Sequence, residues 1–331
     1  MNVFIKNITY YLPQQILTNE ALAQEFPEWS VEKIMAKVGV SKRHIAAKDE
    51  TATDMAVLAA RKLFDSGIDK QTIDYVLFCT QSPDYFLPTS ACIIQDRLGL
   101  SKNIGALDFN QGCSGFVYGL SLAKGLICAN IAENVLLLTA ETYTKHLHPR
   151  DKGNRTIFGD AASATLISTD GIAEIGEFCL GTDGSGAENL ILKTGAFRYP
   201  EKSCEVVFDN GNNPISPDYI YMDGSEIFAF TLEAVPDLVS KTLKKNNVEK
   251  DDIDLFVFHQ ANKYMLDFLR KKLKISGEKF YYCLEDVANT VSSTIPIALY
   301  EAEKEKKLKG NILLAGFGVG YSWGGVILKI K

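Results

Sequence analysis

Cys113, His259 and Asn289 offer a thiol, an imidazole and a carboxamide, a set suited to forming a thioester and stabilising an enolate. Cys113 lies in FNQGCSGFVYGL, between Gly112 and Ser114-Gly115, just before a helical pattern of Phe116, Val117, Leu120 and Ile127. Small neighbours leave room for a substrate at the sulfur. A helix N-terminus stabilises anions through unpaired N–H groups and its dipole, and so lowers a thiol pKa from about 8.5. The competing role of a free cysteine is that of a small buried hydrophobe. That role is assigned to the other six, at 79, 92, 128, 179, 204 and 283.

His259 follows the apolar run IDLFVF, and HQAN then leads into a helix around Tyr264 to Leu273. Strand ends in α/β proteins are where ligands bind. A lone histidine is more often a surface or satisfied core residue, but His259 falls at the repeat equivalent of Thr80 and Gln81, on the sheet edge that delivers Cys113. His44, His146 and His148 have no such setting. His146-x-His148 has no carboxylate or cysteine at ligand spacing, so a surface loop and no metal are expected. Asn289, in EDVANTVSS, is open to reading as a helix N-cap. Placed opposite Cys113, its amide N–H and the His259 ring N–H would be two neutral donors for an enolate oxygen.

The elements that position these residues are written twice. Thr53 to Phe64 reads as a helix, Asp65-Ser66-Gly67 as a turn and Tyr75 to Cys79 as a strand. Later, Ala234 to Leu243 is helical, Asn246-Asn247 turns, and IDLFVF (Ile253 to Phe258) stands where IDYVLF (Ile73 to Phe78) stood. Cys113 opens a helix that ends before Asn134 and the strand VLLLT; Asn289 opens one that ends before Asn311 and ILLAG. A repeat this long is no solenoid. It predicts two βα-rich halves related by a pseudo-dyad, residues 1–172 carrying the nucleophile and 173–331 carrying His259 and Asn289. Two helix starts would then face one site. Glu301 to Lys309 reads as a solvated helix end.

With 46% hydrophobic and 23% charged residues, the 331-residue chain can bury a large core. No run approaches the roughly 20 apolar residues of a bilayer span, and MNVFIKNITYYLP has no leader pattern, so a cytoplasmic location is expected. Seven cysteines without a C-x-x-C pair speak against zinc and a disulfide framework. A net charge of −6 speaks against general nucleic-acid binding.

The chain resembles β-ketoacyl-acyl-carrier-protein synthase III nearly end to end, in VGVSKRHIAA (38 to 47), LPTSACIIQDRLGL (87 to 100), NQGCSGFVYGL (110 to 120), IFGDAASATLI (157 to 167), DGSEIF (223 to 228), FHQAN (258 to 262), ANTVSSTIP (288 to 296) and GFGVGYSWGG (316 to 325). The resemblance implies a thiolase-like α/β fold with α-β-α-β-α layers, a homodimer, and no cofactor or metal beyond an acyl-CoA thioester and malonyl-acyl carrier protein as substrates. The family's nucleophile, histidine and asparagine fall on Cys113, His259 and Asn289. Cys113 would take the acyl group and CoA would leave; malonyl on the carrier would then lose CO2, giving an enolate held by His259 and Asn289 that attacks the acyl carbonyl. The backbone N–H groups of Cys113 and Val319 would hold the oxyanion. Val319 replaces a family glycine, and a β-branched residue tolerates positive φ poorly.

Other matches concern the substrate. Lys152 falls on an arginine that flanks the CoA adenine, Lys37 on a second arginine, and Trp29 lies four residues too early to align without a gap. Gly224 and Asn262 fall in segments implied to bind substrate. A carrier-binding arginine becomes Tyr264, while Lys263, Arg270, Lys271, Lys272 and Lys274 give a basic stretch that could steer an acidic carrier. Leu87 replaces a phenylalanine at the end of an acyl pocket walled across the dimer, which suggests a primer longer than acetyl. Transfer of the acyl group to an amine or hydroxyl, hydrolysis, and a non-catalytic carrier-binding subunit are the competing functions.

Overall fold

The computed structural model describes all 331 residues. Ten strands form one mixed sheet: β1 (Phe4–Tyr11), β2 (Tyr75–Cys79), β3 (Gly105–Phe109), β4 (Val135–Glu141), β5 (Ala161–Ser168), β6 (Ala173–Ile175), β7 (Cys179–Thr182), β8 (Ile253–Phe258), β9 (Asn311–Gly318) and β10 (Ser322–Ile330). Their order is β8-β9-β10-β6-β1-β5-β4-β2-β3, with β7 also paired to β10.

One pattern of directions occurs twice. β2 is parallel to β4, which is antiparallel to β5, which is antiparallel to β1. Likewise β8 is parallel to β9, β9 antiparallel to β10, and β10 antiparallel to β6 and β7. β3 lies parallel to β2, and its counterpart is a single parallel bridge between Phe256 and Phe280. The aspartates of the two ID motifs do the same work. Asp74 Oδ2 accepts from the Asn134 N–H, and Asp254 Oδ2 from the Asn311 N–H, each at 2.9 Å. Counting from these aspartates corrects one expectation: His259 corresponds to Cys79, the last residue of β2, and not to Thr80 or Gln81.

The layers follow from period-two alternation. Val76, Phe78, Leu136 and Leu138 point into a core with helices α1 (Ala52–Asp65) and α2 (Ser90–Leu98). Leu77, Val135 and Leu137 point the other way, onto α3 (Gly115–Cys128). In the second half Phe256, Phe258 and Leu313 face α4 (Gly224–Asn246) and α5 (Lys263–Lys272). There Leu255, Val257, Ile312 and Leu314 share the central core with α3 and α6 (Thr294–Lys304). The result is an α-β-α-β-α thiolase-like fold with two helices in the middle. Phe116, Val117, Leu120, Ile295, Ala298 and Leu299 of that pair are buried, and each large apolar side chain so buried contributes roughly 1.5–3 kcal/mol.

Helix ends obey local chemistry. Thr51 and Asp54 form a reciprocal capping box at α1, and Asn247, at φ +52°, ends α4 in the left-handed conformation asparagine tolerates. The helix expected over Ala234 to Leu243 begins at Gly224, capped by Asp223, and carries Pro236 within it. No helix is long and apolar enough to cross a membrane.

Candidate active site

Cys113 sits between β3 and α3, two residues before the helix begins, with Ser114 as N-cap. It is buried, 7% exposed. The surrounding glycines serve protein packing, which corrects the expectation that they leave room for substrate. A Cβ on Gly112 would collide with Val319 Cγ1, one on Gly115 with Cys79 Sγ, and one on Gly318 would lie 2.9 Å from Cys113 Sγ. Three segments, around residues 79, 112–115 and 318–319, thus pack together at Cys113.

Burial pushes the Cys113 thiol up to about 12, and the negative charge of Glu141 acts in the same direction. The nearby backbone N–H groups of Val319 and Cys113 pull the other way. The lowered thiol pKa expected from the helix start is therefore overridden by desolvation, and the resting thiol is neutral. Val319 needs no positive φ; that conformation falls on Gly320, at +135°. The Ser322 hydroxyl bonds the Val319 carbonyl at 2.9 Å and lies 2.7 Å from Ser114 Oγ, fixing this loop to the start of α3.

His259 directly follows β8, its backbone N–H donating to the Ala315 carbonyl of β9 at 2.8 Å. Its ring stands edge-on to Phe317, and Nδ1 lies 2.7 Å from the Thr294 hydroxyl at the start of α6. Burial drives its pKa down to about 3, so the imidazole is neutral.

Asn289 precedes α6 by five residues, with a 3-10 turn at Val291–Ser293 between them, so it does not cap that helix. Its backbone bridges to the segment before β5, the N–H donating to the Ile157 carbonyl and the carbonyl accepting from the Gly159 N–H, both at 3.0 Å. The side-chain Oδ1 accepts from the Val291 N–H at 2.9 Å, which leaves the Nδ2 hydrogens for the cavity. Ala288 and Val291 flank it at φ +68° and +56°, conformations that cost a non-glycine residue of order 1–3 kcal/mol and cluster at functional sites.

The three side chains line one cavity of about 710 Å³, with an apolar wall that includes Phe158, Leu190 and Phe317. Lys37, Lys152, Gly224 and Asn262 line the same cavity toward its mouth, and so does Trp29 despite its offset in sequence. Lys37 Nζ lies 4.8 Å from the centre of the Trp29 ring. Leu87 lies away from the cavity of its own chain and is 81% exposed. Among the basic residues expected to dock a carrier, Lys263 pairs with Asp267 at 2.9 Å, and Arg270 turns inward to the Tyr282 hydroxyl and the Ile275 carbonyl. Lys271 is exposed.

Two further corrections concern residues set aside. His148 lines the cavity and packs edge-on against Tyr219. Of the six other cysteines only Cys79 is buried; Cys92, Cys128 and Cys204 are exposed, and Cys179 and Cys283 half-buried.

Sequence reasoning missed Glu141, fully buried at the end of β4. It accepts from the Gln81 N–H at 2.9 Å and the Ser82 hydroxyl at 3.0 Å, and burial raises its pKa to about 8. A glutamate ending the apolar run VLLLTA was the available signal. Thr294, buried at the start of α6, is a second residue that sequence reasoning did not single out.

Comparison with known proteins agrees with this geometry. The family models described as 3-oxoacyl-[acyl-carrier-protein (ACP)] synthase III and its C-terminal part match residues 107–184 and 243–330. A β-ketoacyl-[acyl-carrier-protein] synthase III of Clostridium perfringens is 38% identical over 325 residues, 97% of each chain. A crystal structure of a 3-oxoacyl-(acyl-carrier-protein) synthase III superposes with a TM-score of 0.97 at 48% identity, covering 100% of both chains. A 3-oxoacyl-(acyl-carrier protein) synthase from Burkholderia xenovorans gives 0.91 at 34% identity, covering 100% of this chain and 95% of the other.

Proposed function

The chain belongs to the β-ketoacyl-[acyl-carrier-protein] synthase III family, and from that membership we propose that it is a condensing acyltransferase of fatty acid or related lipid biosynthesis, with Cys113 as nucleophile and His259 and Asn289 as enolate donors. The observation that carries the assignment of roles is the convergence of a neutral thiol, a neutral imidazole and an oriented carboxamide on one largely apolar cavity.

In the first half-reaction Cys113 Sγ attacks the thioester carbonyl of an acyl-CoA or acyl carrier. The C–S bond to the enzyme forms, the C–S bond to the donor breaks, and the thiol proton departs with the donor's thiol. The Val319 and Cys113 N–H groups meet the oxyanion; one such donor is typically worth about 3 kcal/mol in the transition state. In the second, malonyl-acyl carrier protein loses CO2, and its enolate attacks the acyl carbonyl. The product is a β-ketoacyl carrier, and the released thiolate takes up one proton to restore Cys113. The Thr294 hydroxyl lies 2.7 Å from His259 Nδ1 and 3.0 Å from the Val291 carbonyl; when its hydrogen turns to Nδ1, the ring hydrogen sits on Nε2 and is offered, beside Asn289 Nδ2, to the enolate oxygen. Neutral donors suit this step, because the enolate needs stabilising without being quenched by a strong acid.

Residues 1–172 and 173–331 act as the nucleophile-bearing and donor-bearing halves, in a cytoplasmic homodimer whose Leu87 closes the partner's acyl pocket and admits primers longer than acetyl. Exposed Lys271 supplies charge for carrier docking. No cofactor beyond the thioester substrates is required. The test is to offer acyl-CoAs and acyl-carrier proteins of graded length, locate acylation by intact-mass and peptide analysis, then add malonyl-acyl carrier protein and identify the product. Labelling is expected at Cys113 and lost in Cys113→Ala. CO2 release is expected to need His259. Failure of every donor to label Cys113 refutes the proposal.

A further inference from the structure

A phenol lies buried beside the nucleophile and is used by neither half-reaction. Tyr143 follows β4 by two residues, at the start of a 3-10 turn, and is 5% exposed. It shares one apolar cluster with Cys113, Phe158, Leu190 and Phe317. Its ring packs at 4.8 Å against that of Phe158, which lines the cavity, and stands edge-on to His146 at 6.2 Å. Buried tyrosine hydroxyls usually find a partner, yet this one makes no hydrogen bond within the chain. Burial, then the charges of Cys113 and Glu141, hold the phenol well above its ordinary range, so it keeps its proton and can donate.

The surrounding chain holds Tyr143 in place. Two residues before it, the Glu141 carboxyl accepts from the Gln81 N–H at 2.9 Å and the Ser82 hydroxyl at 3.0 Å. One residue after it, Thr144 donates to Asp160 through its N–H at 3.0 Å and its hydroxyl at 2.6 Å, and Asp160 also accepts from the Ala46 N–H at 2.9 Å. Glu141 and Asp160 are both fully buried, so the tyrosine is fixed from either side by satisfied interior networks. The same scaffold sets a second unpaired atom. Gln81, whose N–H Glu141 holds, keeps its side-chain Oε1 buried without a partner. That oxygen lies 2.9 Å from where a Cβ on Gly112 would sit, one residue before Cys113.

A donor and an acceptor thus stand unpaired near one sulfur. Burying them against a plain alkyl chain costs binding, and a ligand with a matching polar group recovers it. A hydroxyl matches both, since it accepts from a phenol and donates to a carboxamide oxygen. We propose that Tyr143, together with Gln81 Oε1, is a specificity determinant that selects a short acyl group bearing a hydroxyl near the thioester for transfer to Cys113. This rests on the reading that Cys113 is acylated, and it names the class of primer. The thioester exchange is the one given above, and the hydroxyl is neither formed nor consumed.

The experiment offers the purified full-length protein butyryl, 2-hydroxybutyryl and 3-hydroxybutyryl groups, each on CoA and on a bacterial acyl carrier protein, and follows Cys113 acylation by intact mass. A hydroxyacyl donor is expected to load with a kcat/KM roughly tenfold or more above that of butyryl on the same carrier. Tyr143→Phe keeps the ring and removes only the oxygen. It is expected to lower the hydroxyacyl rate about tenfold and to raise the butyryl rate roughly threefold, because an alkyl chain then meets an apolar wall. Gln81→Leu, which keeps the backbone N–H that Glu141 holds, is expected to reduce the hydroxyacyl preference about threefold to tenfold. Hydroxyacyl donors that load no faster than butyryl, or a wild-type preference in either variant, overturn the inference and leave acylation of Cys113 standing. No label from any donor overturns both.

Discussion

Gly318→Ala tests how tightly the protein closes on its nucleophile. Gly318 is not in the left-handed region, so alanine is conformationally acceptable there and the substitution probes space alone. The new Cβ would lie 2.9 Å from both Cβ and Sγ of Cys113. Comfortable contacts begin near about 3.5 Å, so the overlap is roughly 0.6 Å at each atom. The sulfur can rotate away; the Cys113 Cβ cannot, so either the end of β9 or the loop before α3 must move. Overpacking of this kind costs about 1–3 kcal/mol. The shift also displaces the neighbouring Val319 N–H, proposed above as an oxyanion donor, and loss of one such donor slows acyl transfer by about 10²–10³. Intact-mass acylation kinetics measure the second effect and thermal unfolding the first, with iodoacetamide labelling as a probe that needs no substrate. Acylation within about threefold of wild type, with an unchanged Tm, refutes the packing described here.

Thr294→Val should lower the condensation kcat by about 10-fold to 100-fold with little change in KM, because the imidazole loses its orienting partner at Nδ1; Thr294→Ser should restore the rate. Because burial holds the His259 pKa near 3 against an ordinary 6.5, its contribution to stability is complete above the ordinary value and falls as pH drops through that window, at about 1.4 kcal/mol per pH unit. Glu141, raised from 4.5 to about 8, has the opposite sign: its contribution declines as pH climbs between those values. Urea titrations across pH should therefore show a shallower acid limb in His259→Asn and a shallower alkaline decline in Glu141→Gln. Asp74→Ala and Asp254→Ala should each lower unfolding free energy by roughly 1.5–3 kcal/mol, since each removes a charged acceptor from a strand-initiating N–H; a large loss at one and none at the other would deny them a common role.

The proposed trio was legible because the chain states its architecture twice, which places Cys113 in one half and His259 and Asn289 in the other. Strand limits at Tyr75–Cys79 and Ile253–Phe258 were legible too, from apolar runs framed by turn residues. What sequence could not show was spacing in three dimensions. Gly112 and Gly115 looked like open room, whereas Val319 and Cys79 occupy that volume. The helix start promised an acidic thiol, but burial opposes it, and burial depends on segments more than 200 residues away. Trp29 looked out of register, yet it reaches the cavity mouth. Glu141 was hidden for another reason: its partners, Gln81 and Ser82, follow a neighbouring strand 60 residues earlier.

The pairing of β1 with β6, Phe4 opposite Glu174 and Ile5 opposite Ala173, joins the two halves by a shared backbone ladder, and β10 continues it on the other side of β6. An enzyme split at a cleft can open like a jaw; this one cannot without unzipping its own sheet. Substrate exchange in two successive half-reactions must therefore be managed at the rim, which is bordered by Val207–Phe208 paired with Pro214–Ile215, a hairpin whose Gly211 carbonyl accepts from Lys152. The two halves thus form one fixed anvil, with this short two-stranded hairpin beside the cavity.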